Sequence, residues 1–149
     1  MSFTPATPDF EQMVKERLSG NHFTNHIGFT MEKIAPGMTE GYLDLQEHHL
    51  QQMNFVHGGV SATLADVVMG FAAYTLVKRG QGVVTVELKM SYLNPAVGDK
   101  LFVKGYVIKA GQRLVFCEAE LWTMQNGKPF ITAKSSSTMA VVNPEDIKR

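Results

Sequence analysis

The chain has 149 residues, 44% of them hydrophobic, which is enough for one domain with a sizeable core and too little for two ordinary ones. Fourteen basic residues balance fourteen acidic ones, so the whole-molecule positive field that draws proteins to nucleic acid is missing. The one cysteine, Cys117, has no internal disulfide partner, and the N-terminus lacks the basic-then-apolar pattern of a secretory leader, so the expected compartment is the cytoplasm.

Apolar Phe10, Met13, Val14 and Leu18 recur at helical spacing, with Thr7 as N-cap, Pro8 at the first position and Gly20 as the stop, predicting a short helix over about 8–19. Residues 29–34 and 39–46 flank Pro36-Gly37, and the second run alternates in a two-residue period, predicting a β-hairpin. Residues 48–55 read as an irregular connection. A mostly apolar helix over 58–77 follows, ended by Lys78, Arg79 and Gly80. Gly58, Gly59, Ser61, Thr63, Asp66, Gly70, Tyr74 and Thr75 make it too polar for a bilayer, so no membrane span is expected. Val84, Val86, Leu88, Met90 and Tyr92 alternate with Thr85, Glu87, Lys89 and Ser91 as a half-buried strand. Asn94-Pro95 followed by Gly98-Asp99 turns the chain into three more strands, 101–109, 114–124 and 130–142, joined at Gly111-Gln112 and Asn126-Gly127, and consecutive strands on short turns should pair antiparallel as a meander. Residues 143–149 read as frayed. The order predicts a single α+β domain over 1–149 whose sheet wraps the long apolar helix.

The chemistry should lie around Asp66, the single charge on that helix. A carboxylate taken out of water without partners costs several kcal/mol or more, so on an apolar helix it has a specific partner or a job. The helix dipole still favours the anion two turns inside, while burial opposes it. Gly58 and Gly59 at the helix start permit close backbone approach, and unpaired N–H groups there suit a developing oxyanion, with the Gly58 N–H as candidate donor.

The run Asn54-Phe55-Val56-His57-Gly58-Gly59-Val60-Ser61-Ala62-Thr63-Leu64-Ala65-Asp66, with Val84-Thr85-Val86-Glu87-Leu88-Lys89-Met90-Ser91-Tyr92-Leu93-Asn94-Pro95-Ala96 after the helix, resembles the hotdog-fold acyl-CoA thioesterases. The phenylacetyl-CoA and 4-hydroxybenzoyl-CoA type is the closest group, and the likeness extends over about 27–142. The resemblance implies a curved antiparallel sheet around a central helix, and hydrolysis of an acyl-CoA to a free acid and CoA without metal or cofactor. It also implies a homo-oligomer, dimer or tetramer, with sites at the dimer interface.

Carried over residue by residue, the resemblance makes Asp66 the nucleophile or the general base, and His57 the brace of the loop and the Gly58 amide. Gln51, or Asn54 as competitor, becomes the amide that holds water or the substrate carbonyl, and Thr85 the hydroxyl that orients water. Gly70 stands where one subgroup has a second hydroxyl, which leaves that water-holder without a counterpart. Lys89, Lys109 and Arg113 are the candidates for contact with the CoA portion, Met53, Phe55, Met69 and Phe71 for the acyl pocket, and Gly59, Ser91 and Asn54 for substrate contact in general. His22 and His26 lie four apart, but no cysteine pair or companion acid completes a metal set, and their flanks do not read as helical. Two rivals remain: a hotdog hydratase or dehydratase, against which the His-Gly-Gly spacing argues, and a non-catalytic acyl-binding module.

Overall fold

The turn at Pro36-Gly37 closes on schedule: Gly37 takes φ +73°, and strands β1 (Phe29–Ala35) and β2 (Met38–Asp44) pair antiparallel on either side. This is a computed structural model, and it describes residues 2–147. Before the hairpin stand two helices, α1 (Phe10–Ser19) and α2 (His22–Ile27); after it come α3 (Gly58–Tyr74) and strands β3 (Gly82–Tyr92), β4 (Lys100–Ala110), β5 (Leu114–Gln125) and β6 (Lys128–Val142). All strand pairs are antiparallel, in the order β1-β2-β4-β5-β6-β3.

Five expectations about the elements need correction. Helix α1 starts at Phe10, with Asp9 at the cap position and no side-chain cap. Thr7 instead donates its hydroxyl to the Val77 carbonyl (3.3 Å) and accepts the Arg79 N–H (3.2 Å), tying the N-terminus to the chain beyond α3. Helix α2 was not expected; at six residues it is too short to display a period, and its signals are the Asn21 side chain capping Thr24 N–H and Gly28 at φ +83°. Helix α3 ends at Tyr74, three residues before Val77, because buried Thr75 donates its hydroxyl to the Ala72 carbonyl (2.6 Å) while accepting Gly37 N–H (2.7 Å). Finally, β3 does not neighbour β4. Residues 93–99 carry the chain from the sheet edge back to its middle, held by Leu93 and Asn94 N–H on the Thr132 carbonyl, by Val56 N–H on Ala96 and by Leu45 N–H on Asp99. Where fraying was expected, a single 3-10 turn (Pro144–Asp146) stands after Asn143; Lys148 and Arg149 lie outside the described residues.

The inner face of the sheet supplies Leu43, Leu101, Val103, Ala119, Leu121 and Met139, all essentially buried against Leu64, Ala65, Val68, Met69 and Ala72 of α3. Burying the Leu, Val and Met side chains among these contributes about 1.5–3 kcal/mol each. The sheet also grips the helix backbone: Thr39 donates to the Val68 carbonyl (2.8 Å). Closest approach is at Gly105, where an added Cβ would meet Val68 C at 2.7 Å and Met69 N at 2.8 Å. Those neighbours are backbone and cannot rotate away, so the helix itself must shift. Gly105→Ala is therefore expected to lower stability by about 1–3 kcal/mol, read as a fall in denaturation midpoint, and to lower activity by displacing the turn next to Asp66.

Candidate active site

A bulge decides which side of β3 faces the helix. Thr85 pairs with Met139 and Glu87 with Thr138, leaving Val86 as an extra residue. Before the bulge Val83 and Thr85 point inward; after it the parity changes, and Leu88 and Met90 pack on the core instead. Unbroken alternation put Thr85 on the same face as Lys89 and Ser91. The structure separates them: Thr85 Oγ1 donates to Asp66 Oδ1 at 2.6 Å, while Lys89 and Ser91 face outward among Tyr106, Glu118, Glu120 and Lys134.

Asp66 stands on the strip of α3 that the sheet leaves half open, between the buried rows through Leu64, Ala65, Val68 and Met69. It opens, with Thr85, on a cavity of about 490 Å³ lined also by Val67, Gly70, Phe71 and Met139. Of the residues expected to form an acyl pocket, Phe71 lies there. Phe55 lines a second depression of about 440 Å³, Met53 is 70% exposed, and Met69 is wholly buried in the core. The second depression belongs to the helix start, and Gly58, Gly59, Ser61 and Tyr92 share it.

At that start the backbone is tightly organised. His57 is the N-cap, and its Nδ1 accepts the Gly59 N–H at 2.9 Å, so the brace acts one residue further along than expected. The His57 carbonyl accepts from Val60 N–H (2.9 Å) and Ser61 N–H (3.3 Å), while the Gly58 N–H has no acceptor among the described residues. Such a free donor at a helix N-terminus is the geometry an oxyanion site requires.

Gln51 and Asn54 fall into different roles. Gln51 Oε1 accepts the Met53 N–H at 2.9 Å, and Nε2 is enclosed without a partner among the described residues. A buried amide donor without an acceptor costs free energy unless water or a ligand fills the gap. Asn54 is exposed with φ +63° and gives its N–H to the Gln51 carbonyl, a turn role that favours asparagine for its tolerance of left-handed backbone. Lys109 and Arg113 are exposed at the β4–β5 turn, and the structure does not bring them to Asp66.

Sequence reading missed the second brace of this loop. His49 is 2% exposed; its Nδ1 accepts the Gln46 N–H (2.9 Å), its Nε2 lies 2.9 Å from the Ile27 carbonyl, and its own carbonyl accepts the His57 N–H. Burial pushes its pKa below the ordinary 6.5, helped by neighbouring His48 and opposed by the bond to Ile27. The unfolded chain then takes up this proton first as pH falls, so His49 favours the fold above about 6.5 and that contribution is lost as pH drops towards its lowered value. The thermal midpoint should accordingly fall between pH 7 and 5, with a shallower slope in His49→Gln. Equal slopes would remove His49 as the cause.

His22 and His26 do share a helix, contrary to the sequence reading, but among the described residues no three His, Cys, Asp or Glu side chains converge as a metal set. Among the described residues no helix is long and apolar enough to cross a membrane.

A six-stranded antiparallel sheet wrapped around one apolar helix, with an acid on the helix's open strip, defines the hotdog architecture. The thioesterase superfamily profile matches residues 53–130, just over half of the chain. Acyl-coenzyme A thioesterase 13 of Homo sapiens is 28% identical over 127 residues, 84% of this chain and 90% of its own length. The 1,4-dihydroxy-2-naphthoyl-CoA thioesterase 2 of Arabidopsis thaliana is 27% identical over 97 residues, 64% of this chain and 61% of that protein. Among solved structures, a thioesterase family protein from Silicibacter pomeroyi superposes with a TM-score of 0.88 at 26% identity, covering 90% of this chain and 98% of its own. The E. coli PaaI protein from the phenylacetic acid degradation operon shares the fold, with a TM-score of 0.80 at 18% identity over 90% and 94% of the two chains. The chain belongs to the thioesterase superfamily and is a thioester hydrolase.

Proposed function

We propose that this thioester hydrolase cleaves acyl-CoA to a free carboxylic acid and CoA, with Asp66 as nucleophile or general base and the Gly58 N–H as oxyanion donor. The observation that carries the reading is the 2.6 Å bond from Thr85 to Asp66 beside the 490 Å³ cavity. That bond fixes one carboxylate oxygen and leaves the other free to act on a carbonyl or a water. The acyl group lodges in the cavity against Val67, Phe71 and Met139, a volume within the usual range for small-molecule sites. Gln51 Nε2 supplies a further donor to the carbonyl or the attacking water.

One chain does not complete this site. Gly58 and Asp66 are eight residues apart on α3, or about 12 Å along the axis. The Asp66 side chain leans toward the N-terminus and recovers only part of that distance. Two groups acting directly on one carbonyl must stand within about 6 Å of each other, since each approaches its own atom to about 3 Å, and a base that works through one water extends this to about 9 Å, still short of the span along the helix. We therefore assign Gly58 with Gln51 to one protomer and Asp66 with Thr85 to its partner. Strand β3 supports this assembly: it is an 11-residue edge strand carrying Val84 at 44% and Val86 at 58% exposure, and a free apolar edge favours pairing with a second copy. A dimer, and a tetramer of two such dimers, follow from the same reading, and the buried, unpaired Cys117 suits a cytoplasmic location.

Thiol release across a panel of acyl-CoA substrates tests the activity. Cys117 is 1% exposed and burial pushes its thiol up to about 12, so the native protein should add almost nothing to a thiol-reagent signal. Released CoA with stoichiometric free acid is the expected result. An altered double bond without thiol release would indicate a hydratase, and binding without either product would indicate a carrier module.

A further inference from the structure

The Gly58–Gly59 peptide is held at both of its polar ends. Its N–H is bonded to His57 Nδ1 at 2.9 Å, and its carbonyl accepts the Tyr92 hydroxyl at 2.8 Å. The tyrosine comes from the last residue of β3, far from the loop in sequence, and its ring stands over Gly58: a Cβ there would lie 3.2 Å from both Cζ and the hydroxyl oxygen. Tyr92 is 56% exposed, so its hydroxyl bonds this carbonyl while water is available to it.

Two consecutive glycines are the most pliable backbone in the loop, and an oxyanion donor must be aimed. The peptide before Gly58 is fixed through its carbonyl, which takes two helix N–H bonds from Val60 and Ser61. The peptide after Gly58 is fixed by His57 and Tyr92. With both planes held, the torsions at Gly58 are held too, and so is the direction of its free N–H. The two bonds on the His57 carbonyl also polarise that peptide, strengthening its N–H as a donor.

We propose that Tyr92 is a positioning residue for the oxyanion site, its hydroxyl and His57 together locking the Gly58–Gly59 peptide so that the Gly58 N–H is aimed at the thioester oxygen as charge develops there. This rests on Gly58 being the oxyanion donor. The oxyanion exists only in the transition state, so a misaimed donor costs turnover and leaves ground-state binding alone.

The test is steady-state hydrolysis by full-length Tyr92→Phe, His57→Ala and the double variant, with thermal melts of each. Tyr92→Phe should lower kcat about tenfold while KM stays within about twofold and the melting midpoint is unchanged. Binding of a non-hydrolysable thioether analogue of the substrate should also be unchanged. Because both side chains hold one peptide, the double variant should lose clearly less than the product of the two single losses. An unchanged kcat in Tyr92→Phe, a loss confined to KM, or strictly multiplicative losses would each overturn the assignment. Gly58→Pro and Gly58→Ala separate this from the donor reading: both add a Cβ against Tyr92, but only proline, which the first helical position accepts, removes the N–H. A Gly58→Pro enzyme as active as a Gly58→Ala enzyme that retains measurable turnover would sink the Gly58 donor itself. An inactive Gly58→Pro with an unimpaired Tyr92→Phe would remove Tyr92 alone.

Discussion

Asp66→Asn is expected to retain fold and assembly and to lose turnover by about a hundredfold or more. Asparagine matches aspartate in shape, and its Oδ1 can still accept the Thr85 hydroxyl that bonds Asp66 at 2.6 Å. The half-exposed position on α3 puts no tight packing demand on the substitution. What disappears is the negative charge, and with it both possible actions of the group: an amide neither attacks a thioester nor takes a proton from water at neutral pH. Thr85→Val provides the contrast, since it leaves the carboxylate charged but unheld. Its loss should be smaller and should fall on kcat, because orientation of the acid matters most as the carbonyl is attacked. Both are measured by CoA release with melts alongside. An Asp66→Asn enzyme that is folded and fully active would remove Asp66 from the chemistry.

Much of this arrangement was legible in the sequence, because its signals are chemical exceptions within regular patterns. One charge on an apolar helix marks Asp66, and a Gly-Gly pair after a histidine marks a helix start with donors to spare. The hairpin and the last three strands followed from turn residues and alternation. The misses have physical causes. The bulge at Val86 sits in a run with a β-branched residue at every position from Val83 to Val86, so no change of pattern betrays the change of parity. It took Lys89 and Ser91 to the outer face and left Thr85 with Asp66. The neighbour of β3 depends on a seven-residue connection whose path is set by hydrogen bonds to Thr132, Val56 and Leu45, none local in sequence. Thr75 ends α3 through a buried hydroxyl shared with Gly37, a tertiary contact that propensity does not encode. Met69 reads equally well as pocket or core from its residue type, and only the closeness of Gly105 to its backbone N settles that it packs inside. The bonds by which His49 and Tyr92 brace the helix start reach the Ile27 and Gly58 carbonyls, 22 and 34 residues away, so neither is signalled by the residues around it.

Subunit complementation is the sharpest expected result for the two-chain site. In a Gln51→Ala homodimer every site lacks its amide, and in an Asp66→Asn homodimer every site lacks its acid. A hybrid of the two differs: the loop of the Asp66→Asn protomer still carries Gln51, and it faces the intact Asp66 and Thr85 of the Gln51→Ala protomer. One of its two sites is whole and the other is doubly broken. Random pairing of equal amounts makes half of the dimers hybrid, so the mixture should reach roughly a quarter of wild-type activity, although both parents are nearly inactive. Tagged co-purification after co-refolding establishes that hybrids have formed, and their share fixes the expected recovery. The orphaned Gln51 Nε2 is what makes the alanine variant informative, because it removes an enclosed donor with no structural partner among the described residues; the Oε1 bond to the Met53 N–H is lost with it, while the loop bonds of Leu50, Val56 and His57 are spared. Verified hybrids that stay at the level of the parents would place Gln51 and Asp66 in the same chain's site or remove Gln51 from it, against the roughly 12 Å that eight residues of helix put between Gly58 and Asp66. Recovery near a quarter requires that the thioester be held between two copies of this chain.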